Sequence, residues 1–117
     1  MDAQLQSLVK KAYAAFNARD IDIALSTFHP AVQWPKAFEG GYVSGHAEIR
    51  QYWTRQWSEI NPVVEPTAFT ERPDGTLEVA VHQLVKNLQG KVLFDGVVKH
   101  VYTIQDALQR KMDIELA

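Results

Sequence analysis

Four histidines, His29, His46, His82 and His100, are the side chains of this sequence whose proton equilibrium lies closest to neutral pH. None of them stands at the i, i+4 or short-loop separations that gather metal ligands, so no metal is expected and no cofactor is assigned. The absence of cysteine excludes thiolate catalysis, disulfides and any Cys-based metal site. His100 differs from the other three. In "VVKHVYTIQ" it alternates with Val98 and Tyr102 along an extended segment, so the three share one side of a strand. An imidazole there can serve as acid, base or hydrogen-bond donor, or it can be a core histidine satisfied by Tyr102 or Gln83 with no chemistry at all. His29 precedes Pro30 at a helix end and reads as a cap or surface residue, while His46 falls in the first turn of a later helix.

The elements that must position these groups follow from periodicity. Leu5, Leu8, Val9, Ala12, Tyr13 and Phe16 fall on one stripe of a first helix that ends near "NARD". Asp20 can cap a second, shorter helix carrying Ile21, Ala24, Leu25 and Phe28, with "HP" at 29 and 30 stopping it. Residues 31–43 lose the helical period, and Pro35, Gly40 and Gly41 divide them into short extended pieces. A third helix starts near Gly45, has Glu48 in its first turn, and ends before "NP" at 61 and 62. The remainder reads as four strands, "VVEPTAFTE", "TLEVAVHQLVKNL", "KVLFDGVVKHVYTIQ" and "LQRKMDIEL", joined by turns in an antiparallel meander. Helices segregated from strands in this order predict an α+β fold.

A hairpin with Gln89 and Gly90 at its tip would set Val85 opposite Phe94, Gln83 opposite Gly96, Val81 opposite Val98, Val79 opposite His100 and Leu77 opposite Tyr102. Those residues form the more apolar face, expected beneath the helices. The opposite face carries His82 and Asp95, but also Leu84, Leu93, Val97 and Val101. That is more apolar surface than a solvated sheet usually shows, and it predicts a homodimer through this face. Twelve basic against fourteen acidic residues and no Lys/Arg run argue against nucleic acid as a partner. No 18-residue apolar run and no basic-then-apolar start occur, so no membrane association and a cytoplasmic location are expected for a chain of 117 residues read as a single domain, 1–117.

"YAAFNARDIDIALSTFHP", "VQWP", "YVSGHAEIRQYW" and "HVYTI", in this order and spacing over residues 5–116, resemble the nuclear transport factor 2-like superfamily, in particular its SnoaL-like and ketosteroid isomerase-like branch. The resemblance implies a cystatin-like, cone-shaped fold: a curved antiparallel sheet wrapped around three helices, with an apolar pocket between sheet and third helix, usually in a dimer. It implies no single activity, since one scaffold serves many. The isomerase roles do not carry over. The general base, directly before a proline on the first strand, corresponds to Trp34, which cannot accept a proton. The helix tyrosine corresponds to Ala12, with Tyr13 adjacent but turned by about 100°. The protonated acid of the late strand corresponds to His100. The cavity so implied would be walled by Trp34, Phe38, Tyr42, Trp53 and Trp57 on one side and by Gln83, Val98, His100, Tyr102 and Met112 on the other. Aromatic walls with few polar groups suit a small apolar or aromatic molecule. Trp53 and Trp57, four residues apart, fit plain helix packing equally well. The alternatives are an isomerase, cyclase or dehydratase using His100 as acid or base with Tyr102 or Tyr42 as donor, and a protein-interaction module.

Overall fold

The computed structural model describes residues 3–37 and 39–116. Helices α1 (Ala3–Asn17) and α2 (Ile21–Ser26) precede strands β1 (Phe28–Pro35) and β2 (Tyr42–Ser44). Helix α3 (Gly45–Glu59) then leads into β3 (Ile60–Glu71), β4 (Leu77–Asn87), β5 (Val92–Gln105) and β6 (Leu108–Leu116). Among the described residues no helix is long and apolar enough to cross a membrane.

The "NARD" corner is where α1 stops and the edge of the sheet is tied down. Arg19 adopts a left-handed φ of 62°, which ends the helix, and its guanidinium donates to the carbonyls of Phe16 and Pro62. Asn17 meets β3 as a further strand would. Its Nδ2 donates to the Val64 carbonyl at 2.7 Å and its Oδ1 accepts from the Val64 N–H at 2.9 Å. Asp20 caps α2 by accepting from Ile23 N at 3.1 Å, as its position predicts. Helix α2 is shorter than its apolar spacing suggests, because Phe28 already belongs to β1. The Thr27 carbonyl and hydroxyl are taken by Gln109 of β6, at 3.0 and 2.9 Å, and Phe28 pairs with Gln109, so strand pairing claims the chain before "HP" is reached.

The strands form one sheet in the order β2-β1-β6-β5-β4-β3, antiparallel except for the parallel β1–β6 pair. The expected register of the long hairpin holds through its body, with Val79 opposite His100 and Leu77 opposite Tyr102. Its tip differs from a two-residue turn. Lys86 pairs with Val92 and Asn87 N donates to Lys91 O, so the loop is one residue longer and Leu93 is an extra residue on β5. The two irregularities offset each other, and the faces keep their assignment from the Val85–Phe94 pair onward. Val92 takes the place opposite Lys86 expected for Leu93, which turns toward Tyr52 and Arg55 instead.

Leu77, Val79, Val81, Val98, Tyr102 and Met112 are buried on one face against Val9 and Tyr13 of α1. A second cluster joins Phe28 and Val32 of β1 to Ile49, Tyr52 and Trp53 of α3 and to Ala24 and Leu25 of α2. The expectation of a cone-shaped, curved sheet wrapped around the helices is corrected here. β2 and β3 are free edges that do not pair, and the sheet is neither closed nor strongly curled. The helices share the covered face, α3 lying on β1 and β2 and α1 on β3, so the apolar face is buried without the sheet edges having to meet.

Asn17→Ala removes both partners of the Val64 backbone at a partly buried site. Urea unfolding should show a loss of about 1–3 kcal/mol. A change below about 0.5 kcal/mol would mean that this corner does not hold the β3 edge.

Candidate functional site

His100 is the polar centre of the covered face. It sits on β5 between Val79 of β4 and Ile114 of β6, and is only 4% exposed. Tyr13, one helical turn beyond Val9, reaches down from α1 and places its hydroxyl 2.7 Å from His100 Nδ1. Tyr102, two residues along β5, places its hydroxyl 2.8 Å from that of Tyr13. The Tyr13 and His100 rings stack with centroids 5.8 Å apart, and Tyr102 meets Tyr13 edge-on. Burial lowers the His100 pKa from 6.5 to about 4, because a charged imidazole would lose its hydration with no carboxylate to replace it. Burial likewise raises both tyrosines above their ordinary value of 10, and for Tyr13 the nearby Tyr102 adds to the effect. All three groups are therefore neutral at pH 7.

Two small chambers adjoin His100. One, of about 30 Å³, is bounded by Tyr13, Phe28, Trp34, Trp53, His100 and Tyr102. The other, of about 50 Å³, lies among Trp34, Trp53, Gln83, His100, Met112 and Ile114. Each has room for water but not for an aromatic guest. The space is small because the rings fill it themselves: Trp34 meets Trp53 at 5.5 Å and 86°, and Phe28 lies 5.1 Å from Trp34. Outside the second chamber, and sharing Pro35, Ala37, Gln83 and Ile114 with it, opens a cleft of about 390 Å³ walled also by Tyr42, Phe94 and Val98. Its volume falls in the range of small-molecule sites. Phe94, 38% exposed, divides this cleft from a second one of about 370 Å³ that runs to Tyr52, Arg55 and Leu93.

The structure thus brings Trp34, Trp53, Gln83, His100 and Met112 together around the inner space, with Tyr102 on the smaller chamber and Tyr42 and Val98 at the mouth. The Tyr42 hydroxyl donates to Asp113. Trp57 borders neither chamber and packs instead against Phe16, Trp53 and the Arg19 guanidinium. Phe38 lies outside the described residues. The other histidines are engaged elsewhere: His29 with Asp106, His46 with the Phe28 carbonyl, and His82 with Asp95 on the outer face. Tyr13 is the residue that sequence reasoning set aside. A turn of 100° from Ala12 does not remove it, since Ala12 and Tyr13 both border the smaller chamber and the long phenol reaches the imidazole. Its signal was its place on the buried stripe of α1, four residues after Val9.

A histidine buried neutral weakens the fold in acid. The unfolded chain binds the proton with a pKa near 6.5 and the folded chain only near 4, so the full contribution stands above pH 6.5 and is lost as pH falls through that interval. The loss between pH 7 and 4 should reach on the order of 3 kcal/mol in urea unfolding, and His100→Gln should lack it. Parallel pH profiles for the two proteins would show that no such proton is excluded.

Comparison with known proteins places this architecture. TerC, whose crystal structure was determined with polyporic acid, is similar at a TM-score of 0.84 and 25% identity, covering 98% of this chain and 92% of its own. A protein of unknown function from Burkholderia pseudomallei, described as NTF2-like, matches at 0.84 and 20% over 99% and 92% of the two chains. A polyketide cyclase, so described provisionally, from Sinorhizobium meliloti matches at 0.78 and 20% over 93% and 94%. No curated protein matches by sequence. The model of the SnoaL-like domain matches residues 9–108, a span that includes α2, α3, His100 and Tyr102, and the chain accordingly belongs to the SnoaL-like domain family.

Proposed function

We propose that this protein binds a small, mostly apolar or aromatic molecule that lies in the cleft of Tyr42, Phe94 and Val98 and extends past Gln83 toward His100. One observation carries this reading: the 390 Å³ cleft and the 50 Å³ chamber that His100 borders share four wall residues, so the two spaces adjoin. The likeness to TerC, crystallised with polyporic acid, supports it. Ligand contacts are assigned to Gln83 and Val98, with Tyr42 at the rim, and to Trp34, Trp53 and Met112 for the small end of the molecule that enters the inner chamber. Acid–base turnover is the weaker reading, because no Asp or Glu borders either inner chamber and burial, by lowering the His100 pKa to about 4, makes its imidazole a weak base that holds no acid form near neutral pH. A homodimer through the outer sheet face remains part of the proposal, carried by Val97, which is 51% exposed beside His82.

Titration with 2-naphthol, followed by tryptophan fluorescence, tests the site. Saturable binding is expected, and Ile114→Trp, which adds bulk where cleft and chamber meet, should weaken it about tenfold or more while circular dichroism shows the fold retained. Binding that ignores this plug, or no saturable binding, would refute the pocket. For the dimer, sedimentation at micromolar concentration should give a two-chain mass that Val97→Asp reduces to one. A wild-type monomer would refute that part.

A further inference from the structure

The hydroxyl hydrogens around His100 can be placed by elimination. Tyr102 is about 1% exposed, and the oxygen of Tyr13 is the only hydrogen-bond partner its hydroxyl has among the described residues. Its hydrogen must therefore point at Tyr13, because a buried O–H without an acceptor is strongly disfavoured. The Tyr13 oxygen then receives that hydrogen, and its own is directed at the atom 2.7 Å away, His100 Nδ1. A nitrogen that accepts carries no hydrogen, so the proton of the neutral ring is on Nε2. Reversing the chain would have Nδ1–H donate to Tyr13 and Tyr13 to Tyr102, and would leave the Tyr102 hydrogen with no acceptor in the protein. The Nε2 hydrogen of the first arrangement, by contrast, can meet water in the chambers, since Nε2 is not among the wholly enclosed unpaired atoms. Nε2 itself has no partner among the described residues, and the ring borders both chambers. Trp53 borders the same two chambers and its buried indole N–H also lacks an acceptor.

We infer that Tyr13 and Tyr102 are positioning residues that hold His100 in its Nε2–H tautomer, so that the pocket offers an N–H donor at its inner end and selects ligands carrying an oxygen acceptor there. The tautomer rests on geometry within the protein; the choice of ligand rests also on the pocket reading given above. A carbonyl or phenolic oxygen on an otherwise apolar ring system is the chemistry that matches. The same arrangement removes His100 as a general base, since Nδ1 is occupied by Tyr13 and Nε2 already holds its proton.

Nitrogen-15 NMR of protein labelled at histidine, without ligand at pH 7, reads the tautomer directly. His100 should show a protonated Nε2 and an unprotonated, hydrogen-bonded Nδ1. Tyr13→Phe should abolish the hydrogen-bond displacement of Nδ1 and populate both tautomers, whereas Tyr102→Phe should leave Tyr13 donating. A wild-type ring protonated at Nδ1 overturns the inference, and so does a Tyr13→Phe spectrum unchanged from wild type. If Tyr13→Phe does not fold, the wild-type spectrum alone decides. Acetophenone and ethylbenzene, nearly equal in size and differing in one oxygen, then test selection. The ketone should shift the Nε2–H resonance and bind about tenfold more tightly, and equal affinity overturns the acceptor claim. Failure of both probes to bind, with the tautomer as inferred, refutes the pocket and with it the selection of a ligand, but not the positioning role.

Discussion

An imidazole on the apolar face of a sheet must find a partner or be rejected from the core, and the hydrogen bond from Tyr13 to His100 answers that constraint. It does so across 87 residues, from the middle of α1 to the middle of β5. The bond sets the height of α1 over the strands, and with it the packing of Val9 and Tyr13 on Leu77, Val79 and Val81. Tyr102 completes the chain, so three polar side chains lie in the core with their hydroxyl hydrogens satisfied. What is left over is one ring nitrogen, and it is the atom that the small chambers adjoin.

The second structural decision is made by α3. Trp53 is buried against Phe16 of α1 and against Phe28 and Trp34 of β1, and this joins the helix layer to β1. α3 covers β1 and β2 while α1 covers β3, and the two edge strands stay unpaired with each other. An open sheet then leaves a mouth between the β1–β2 region and the distal part of β5, where Phe94 stands over Gly96. A Cβ on Gly96 would meet the Phe94 ring at 3.1 Å, so the bare glycine gives that ring its seat.

The aromatic side chains divide into two roles that composition cannot separate. Phe16 packs edge-to-face on both Trp53 and Trp57, whose rings are tilted by 33° to each other, with Arg19 laid over Trp57 at 5.0 Å. Trp34 belongs partly to this group and partly to the chamber walls. Tyr42 stands at the rim with its hydroxyl held by Asp113 and Lys111 over its ring. Most of the ring area stabilises the fold, and the inner chambers are what such packing leaves unfilled.

Much of this was legible in the residues alone. The three helices, the four-strand meander, the pairing of Val79 with His100 and the corner built on Asp20 follow from periodicity, capping and turn chemistry, which act between near neighbours. The family was legible in the order of its motifs. The parallel β1–β6 pair, the early end of α2 at Thr27, the open sheet and the partnership of Tyr13 with His100 were not. Each joins residues far apart in the chain, and no local rule says which distant groups will meet. Thus the sequence by itself determined which segments become helix or strand and which side chains each turns inward. Only the tertiary structure decided how far apart the helices stand, how little space the rings leave, and which nitrogen of one histidine remains without a partner, because those depend on how whole elements pack rather than on the preferences of any one of them.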